Sequence, residues 1–259
     1  MKYLYYNGDS FCGDGVTQWG EDAGGEEVVE SSESFGQLLG DRYNLEVNHA
    51  WRGGSSSYRI YRTSINYIMN NQSKLQDTLF LIGWTKPTRF ELYHTIREKY
   101  IQVGHYNFYL MLNNKPLSFL NEDQNPPWVD EYDVSTEFKK EYVEKFVDID
   151  TMLEDHLRRV YSLECILKAN NCKYLFWNAF QDTCILHPDL PDTIPLWNKA
   201  VEIFDWENWI LPDNSFDEYL RQFQQHKVRQ TPDDDHPNKL GHQKWFEVVS
   251  SVIDNKELL

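Results

Sequence analysis

No run in this chain approaches the ~18 consecutive apolar residues that a membrane-crossing helix needs. The opening stretch, Met1 to Tyr6, is too short and too polar for the apolar core of a secretion signal. Synthesis and folding in a cytosol are therefore expected. Cysteine is sparse: Cys12, Cys165, Cys172 and Cys184 are the only four in 259 residues. None forms a C-x-x-C pair and no histidine stands at zinc-finger spacing from them, so neither a cysteine metal site nor a disulfide framework is expected. They read as reduced and mostly buried thiols. Basic residues are outnumbered, with 25 Lys and Arg against 41 Asp and Glu, a net charge of −16. Such a surface repels phosphate backbones and anionic lipids, which disfavours nucleic acid and acidic membranes as partners. Neutral substrates such as sugar esters are compatible. The glycine-rich segments lack the Gly-Lys-Ser/Thr ending of a phosphate loop, which disfavours nucleotide binding. His49, His94, His105, His156, His187 and His226 are scattered without ligand spacing, so no metal and no cofactor are expected.

What remains is a composition able to build a core: 41% hydrophobic and 15% aromatic residues. No internal repeat or composition break divides residues 1–259, which read as a single domain. Lys2 to Asn7 reads as a buried strand stopped by Gly8. Residues 20 to 34 read as an exposed acidic loop, Phe35 to Leu39 as a turn or two of helix, and Tyr43 to Asn48 as a second strand. Ile60, Ile65, Ile68 and Met69 recur at roughly helical spacing behind the serine-rich start Ser55-Ser56-Ser57, which predicts an amphipathic helix over Tyr58 to Gln72. Thr78 to Ile82 reads as a third strand and Lys173 to Trp177 as a fourth; Glu202 to Ile210 holds a short fifth. Phe90 to His105 reads as irregular or helical. Helices are expected over Phe138 to Lys168, Phe216 to Gln224 and Leu240 to Ile253. Residues 104–135, with Pro126-Pro127, form a long excursion that suggests a lid or substrate-binding insertion. Strands alternating with helices indicate an α/β architecture with a mainly parallel sheet.

Two short segments carry chemistry. Gly8-Asp9-Ser10 follows the first strand directly. It sets a serine at the carboxyl end of a parallel strand, where open α/β sheets place their ligands. Asp233-Asp234-Asp235-His236-Pro237-Asn238 lies near the other end. A serine hydroxyl needs a base to take its proton, and an imidazole suits the task because it titrates near neutrality. The imidazole in turn needs a carboxylate to fix its tautomer. Asp233 can fold back across a turn stiffened by Pro237 to meet the ring. Asp234 and Asp235 compete for that role, and the D-x-x-H spacing favours Asp233. Each segment alone reads as an ordinary turn or acidic loop; together they suggest a nucleophile and its base.

Four blocks in order then resemble the SGNH/GDSL hydrolase family. They are Gly8-Asp9-Ser10, Asn48-His49-Ala50-Trp51-Arg52-Gly53, Ile82-Gly83-Trp84-Thr85, and Asp233-x-x-His236-Pro237-Asn238-x-x-Gly241-His242. The resemblance implies a flavodoxin-like three-layer α/β/α sandwich with a mainly parallel sheet of about five strands. It implies a catalytic triad of Ser10, His236 and Asp233. It also implies an oxyanion hole from the backbone N–H of Ser10, the backbone N–H of Gly53 and a side chain at Thr85. The family usually has Gly-x-Asn-Asp in the third block. Here the run is Gly83-Trp84-Thr85-Lys86, so Thr85 stands where the asparagine is expected, with a shorter side chain and one proton to donate.

Other residues have plainer readings. Asp9 is a turn or cap carboxylate. Arg89 and Glu91 form a structural ion pair or line the mouth of the site. Trp51 and Trp84 flank motif blocks and, with Arg89, are candidate substrate contacts, although core packing is the commoner fate of tryptophan. His242 is a structural hydrogen-bond partner. The expected activity is a carboxylic ester hydrolase using an acyl-enzyme, with a short O-acyl ester such as acetyl on a carbohydrate favoured. The rivals are an O-acyltransferase and a non-catalytic acyl- or glycan-binding module, for example of a virion or surface structure.

Overall fold

The computed structural model describes residues 1–13, 33–87, 89–94, 99–103, 148–180, 195–224, 228–231 and 234–259. Most of the expected acidic loop at 20–34, the lid at 104–135, the first part of the helix expected over Phe138 to Lys168, Cys184 and Asp233 lie outside these residues.

Strands β1 (Tyr3–Asn7) and β3 (Thr78–Trp84) are almost unbroken apolar runs, as befits parallel strands covered on both faces. With β2 (Glu46–His49) and β6 (Lys173–Asn178) they form a parallel sheet in the order β2-β1-β3-β6. The register pairs Tyr3 with Glu46, Asn7 with Ile82 and Trp84 with Asn178. The chain steps from β1 to β2 on one side and returns to β3 on the other. This reversal opens a crevice at the carboxyl ends of β1 and β3, where ligands bind in such sheets. The fifth strand expected over Glu202 to Ile210 is reduced to one parallel bridge, Phe176 to Trp209, behind a 3-10 turn at Trp206–Asn208.

Helices cover both faces. Helix α1 (Phe35–Tyr43), short α5 (Phe216–Leu220) and α6 (Lys239–Asn255) lie on one. Their Phe35, Leu39, Phe216, Trp245 and Val249 pack on Leu4, Tyr6, Leu81 and Trp177 of the sheet. On the other, α2 (Ser57–Asn70), α3 (Ile149–Ala169) and α4 (Pro195–Ile203) bring Ile60, Leu157, Val160 and Ala200 onto Tyr5, Phe80, Ile82 and Phe176. Alternate strand residues thus feed two cores, and the result is the three-layer sandwich. Five of these helix starts have a local cause. The side chains of Ser34, Ser56, Asp148, Ser215 and Asn238 accept the first free backbone N–H groups of α1, α2, α3, α5 and α6. No helix among the described residues is long and apolar enough to cross a membrane.

Residues 90–94 and 99–103 depart from the irregular or helical expectation over Phe90 to His105. Strands β4 (Phe90–His94) and β5 (Lys99–Val103) form an antiparallel pair with Phe90 opposite Val103 and Leu92 opposite Ile101. A second small pair, β7 (Arg229–Thr231) and β8 (Asp234–Pro237), leads into α6.

Candidate active site

The end of β1 is tied down before the nucleophile appears. Asn7 Nδ2 lies 2.9 to 3.1 Å from Tyr5 Oη, the Ile60 carbonyl, Thr63 Oγ1 and Ser64 Oγ, which fastens the strand to α2. Asn7 Oδ1 accepts from the Gly8 N–H at 2.9 Å. A 3-10 turn then runs from Ser10 to Cys12. Asp9 caps it, Oδ1 accepting from the Phe11 N–H at 3.0 Å. Gly8 is needed for this turn, because a Cβ there would fall 2.3 Å from Cys12 Sγ. Ser10 is 2% exposed.

The imidazole arrives from the far end of the chain. His236 lies in β8, and its Nε2 is 2.7 Å from Ser10 Oγ. The contact has the geometry of a nucleophile and its base. The ring is half-buried and lies 5.5 Å from the ring of Phe11. Its strand is set by the register, Arg229 opposite Pro237, and by a backbone bond in which the Asn238 N–H donates to the Val228 carbonyl at 3.0 Å. Asp233 falls outside the described residues, as do the side chains of Asp234 and Asp235.

The second block lies against the same turn. Ala50 N–H donates to the Tyr6 carbonyl at 2.9 Å and Arg52 N–H to the Gly8 carbonyl at 3.4 Å, which brings Gly53 alongside the end of β1. Gly54 follows with φ 70°. Trp51 is half-buried, and its indole lies so close over Gly13 that a Cβ there would sit 1.9 Å from the ring. Trp51 therefore packs against the nucleophile turn.

The third block differs most from expectation. The Thr85 hydroxyl donates to Asp9 Oδ2 at 2.7 Å and accepts from Arg89 Nη1 at 2.8 Å. A hydroxyl has one proton, so in this arrangement Thr85 has none for an oxyanion. Arg89 Nη1 also donates to Asp9 Oδ2 at 2.8 Å, with side-chain exposures of 8% and 0%. Arg89 thus bonds Asp9, while Glu91 pairs with Arg62 at 3.1 Å in place of the Arg89–Glu91 ion pair. Trp84 is fully buried between Phe176 and His156 and offers no face to a substrate, which corrects its reading as a contact residue. Arg89 and Lys86 both approach Phe180, at 5.1 and 4.7 Å from the ring centre, and Phe180 meets Phe11 edge-on at 4.7 Å.

Two further histidines are buried and neutral. His156 Nδ1 lies 2.7 Å from Ser57 Oγ, and burial lowers its pKa to about 3. His242 accepts from the Phe35 N–H at 3.4 Å, and burial lowers it likewise to about 3. His242 thus fills the structural role expected of it. The Ser57–His156 contact was not foreseen, because the two lie 99 positions apart with no motif joining them. Among the described residues no group of three His, Cys, Asp or Glu side chains gathers as a metal site.

A parallel four-stranded sheet flanked by helices on both faces matches the GDSL/SGNH hydrolase fold, and the chain has that fold. No family model matches the chain, and no curated protein matches it. Among solved structures it is similar to TesA over 100% of both chains, at 14% identity and a TM-score of 0.51. It is also similar to the psychrotrophic esterase EstA from Pseudoalteromonas sp., over 100% of both chains at 12% identity and a TM-score of 0.49. A member of the lipolytic protein G-D-S-L family from Veillonella parvula DSM 2008 matches at 11% identity, over 98% of this chain and 99% of that one, with a TM-score of 0.48. At 14% identity the likeness to TesA speaks for the fold alone, and activity is argued from the site.

Proposed function

We propose that the protein is a serine esterase of the SGNH type. The observation that carries this reading is the 2.7 Å contact between Ser10 Oγ and His236 Nε2, formed by residues 226 positions apart. In this reading His236 Nε2 takes the proton of Ser10 as Oγ attacks the ester carbonyl. The imidazolium then returns that proton to the leaving alcohol. Water, activated by the same nitrogen, hydrolyses the acyl-enzyme. The carboxylate of Asp233 holds the Nδ1–H tautomer. The backbone N–H groups of Ser10 and Gly53 receive the developing oxyanion, and donors fixed in advance are worth about 10²–10³ in rate each. Thr85 acts through Asp9, since its hydroxyl proton is bound there.

The substrate we favour is a short O-acyl ester, acetyl on a carbohydrate. Phe11 follows the nucleophile directly and meets Phe180 edge-on at 4.7 Å, an aromatic pair that supports a small acyl group. The net charge of −16 favours a neutral substrate over an anionic one. Among the described residues Trp51, half-buried beside the turn, is the aromatic residue we assign to meet a sugar face.

The test is turnover of an activated acetyl ester and capture of a fluorophosphonate probe by the parent, Ser10→Ala and His236→Ala. Turnover in the parent should fall by at least about 10³-fold in either variant, with loss of labelling. Asp233→Asn should keep the fold and lose about 10²–10⁴ in kcat. Equal turnover in Ser10→Ala sinks the reading. Labelling without hydrolysis, with acyl transfer to added sugar, would make the protein an acyltransferase. Neither labelling nor turnover would leave a binding module.

A further inference from the structure

Asp9 is a buried carboxylate with a demanding position. One oxygen holds the Phe11 N–H and so shapes the turn that presents Ser10. The other takes two bonds, from Thr85 Oγ1 at 2.7 Å and Arg89 Nη1 at 2.8 Å. A carboxylate with no exposed surface needs a countercharge, and Arg89 supplies it across the gap between the ends of β1 and β3. Arg89 is brought there by a turn in which its N–H donates to the Lys86 carbonyl at 3.1 Å.

The guanidinium reaches Phe11 along a second route as well. It also lies over Phe180, which packs edge-on against the Phe11 ring. Phe11 follows the nucleophile directly, and its ring faces His236 at 5.5 Å. A single buried cation therefore braces the residue between nucleophile and base twice, through the backbone by way of Asp9 and through the ring by way of Phe180.

We propose that Arg89 is a positioning residue for the Ser10–His236 pair, acting through Asp9, Thr85 and Phe180. The inference rests on the esterase reading above. It also accounts for a threonine in the third block: the short side chain leaves room for the guanidinium, and its hydroxyl bridges Arg89 to Asp9. Loss of the cation leaves the Asp9 carboxylate buried and unpaired, and the turn carrying Ser10 relaxes to rehydrate it.

The experiment uses the full chain with the substitutions Arg89→Met, Arg89→Lys, Asp9→Asn and the double variant Asp9→Asn with Arg89→Met. Steady-state kinetics on the activated acetyl ester and the rate of fluorophosphonate capture are read beside thermal melting. Arg89→Met should lower kcat and the capture rate by about 10–100-fold with KM within about threefold, the pattern of lost alignment. Arg89→Lys should recover part of this, because it restores the charge but not the planar guanidinium that packs on Phe180. The double variant should be less impaired than Arg89→Met, since no buried charge is left unpaired. A folded Arg89→Met with parental kcat overturns the proposal, as does a fall in melting temperature with no change in kcat. If Arg89→Met does not fold, the double variant decides: kcat equal to the parent's overturns the proposal, and a reduced kcat supports it. An unreactive parent sinks the esterase reading and this one together. A reactive parent with unmoved Arg89 variants sinks this one alone.

Discussion

A methyl group on Gly8 would lie 2.3 Å from Cys12 Sγ and 3.3 Å from the Gly83 carbonyl. Cys12 is fully buried, so the sulfur has nowhere to retreat without moving the turn. Gly8→Ala should therefore destabilise the protein by about 1–3 kcal/mol, as overpacking does, and slow probe capture by Ser10. Adding Cys12→Ala removes the obstacle, so the pair should be less than additive in urea unfolding; strict additivity would show that the methyl and the sulfur do not meet. At this scale Ser10 and His236 were legible because each sits in a short motif whose chemistry demands the other. The Asp9–Thr85–Arg89 cluster was not, since Asp9 and Arg89 are 80 positions apart and meet only through the pairing of β1 with β3. Glu91 was the nearer partner in sequence, yet it meets Arg62 from α2.

Asn238 has two duties at the junction of β8 and α6. Its Oδ1 accepts from the Gly241 N–H at 3.0 Å and caps the helix, and its own N–H holds Val228. His236 stands two residues upstream, so the start of the helix anchors the base. Asn238→Ala should cost about 0.5–2 kcal/mol in unfolding free energy, and Asn238→Ser much less. If the cap also steadies His236, kcat should fall in the alanine variant at temperatures where it is fully folded. Unchanged kcat there would confine Asn238 to stability. The elements legible in sequence were those with one strong signal, either an apolar run bounded by a turn or a helical period behind a capping serine. The β4–β5 pair was missed because its alternation is short and mixed, and only the partner strand makes it a sheet. The fifth strand expected over Glu202 to Ile210 is cut to a single bridge, because α4 runs to Ile203 and the 3-10 turn at Trp206–Asn208 follows it closely.

For the molecule as a whole, the two buried histidines set a dependence on acidity. His156 is enclosed by Ser57 and Trp84 with the positive Arg159 nearby, and His242 by Phe35 and Phe216 with His236 nearby. Burial lowers both to about 3 in the folded protein. In the unfolded chain each returns to about 6.5. Between those values the unfolded state binds protons that the folded state refuses, so stability must fall as pH drops through that window and the loss is complete near the lower value. Each group contributes at most about 1.4 kcal/mol per pH unit. Repulsion within a chain of net charge −16 weakens over the same range and works in the opposite direction. Comparing the parent with His156→Gln removes that common background, because glutamine can still bond Ser57 but does not titrate. Urea unfolding in unit steps from about pH 7 down to about pH 5 should give a shallower loss of stability in the variant than in the parent. Parallel curves would mean that the imidazole takes up its proton in the folded protein, with the sandwich opening beside Ser57 to admit the charge.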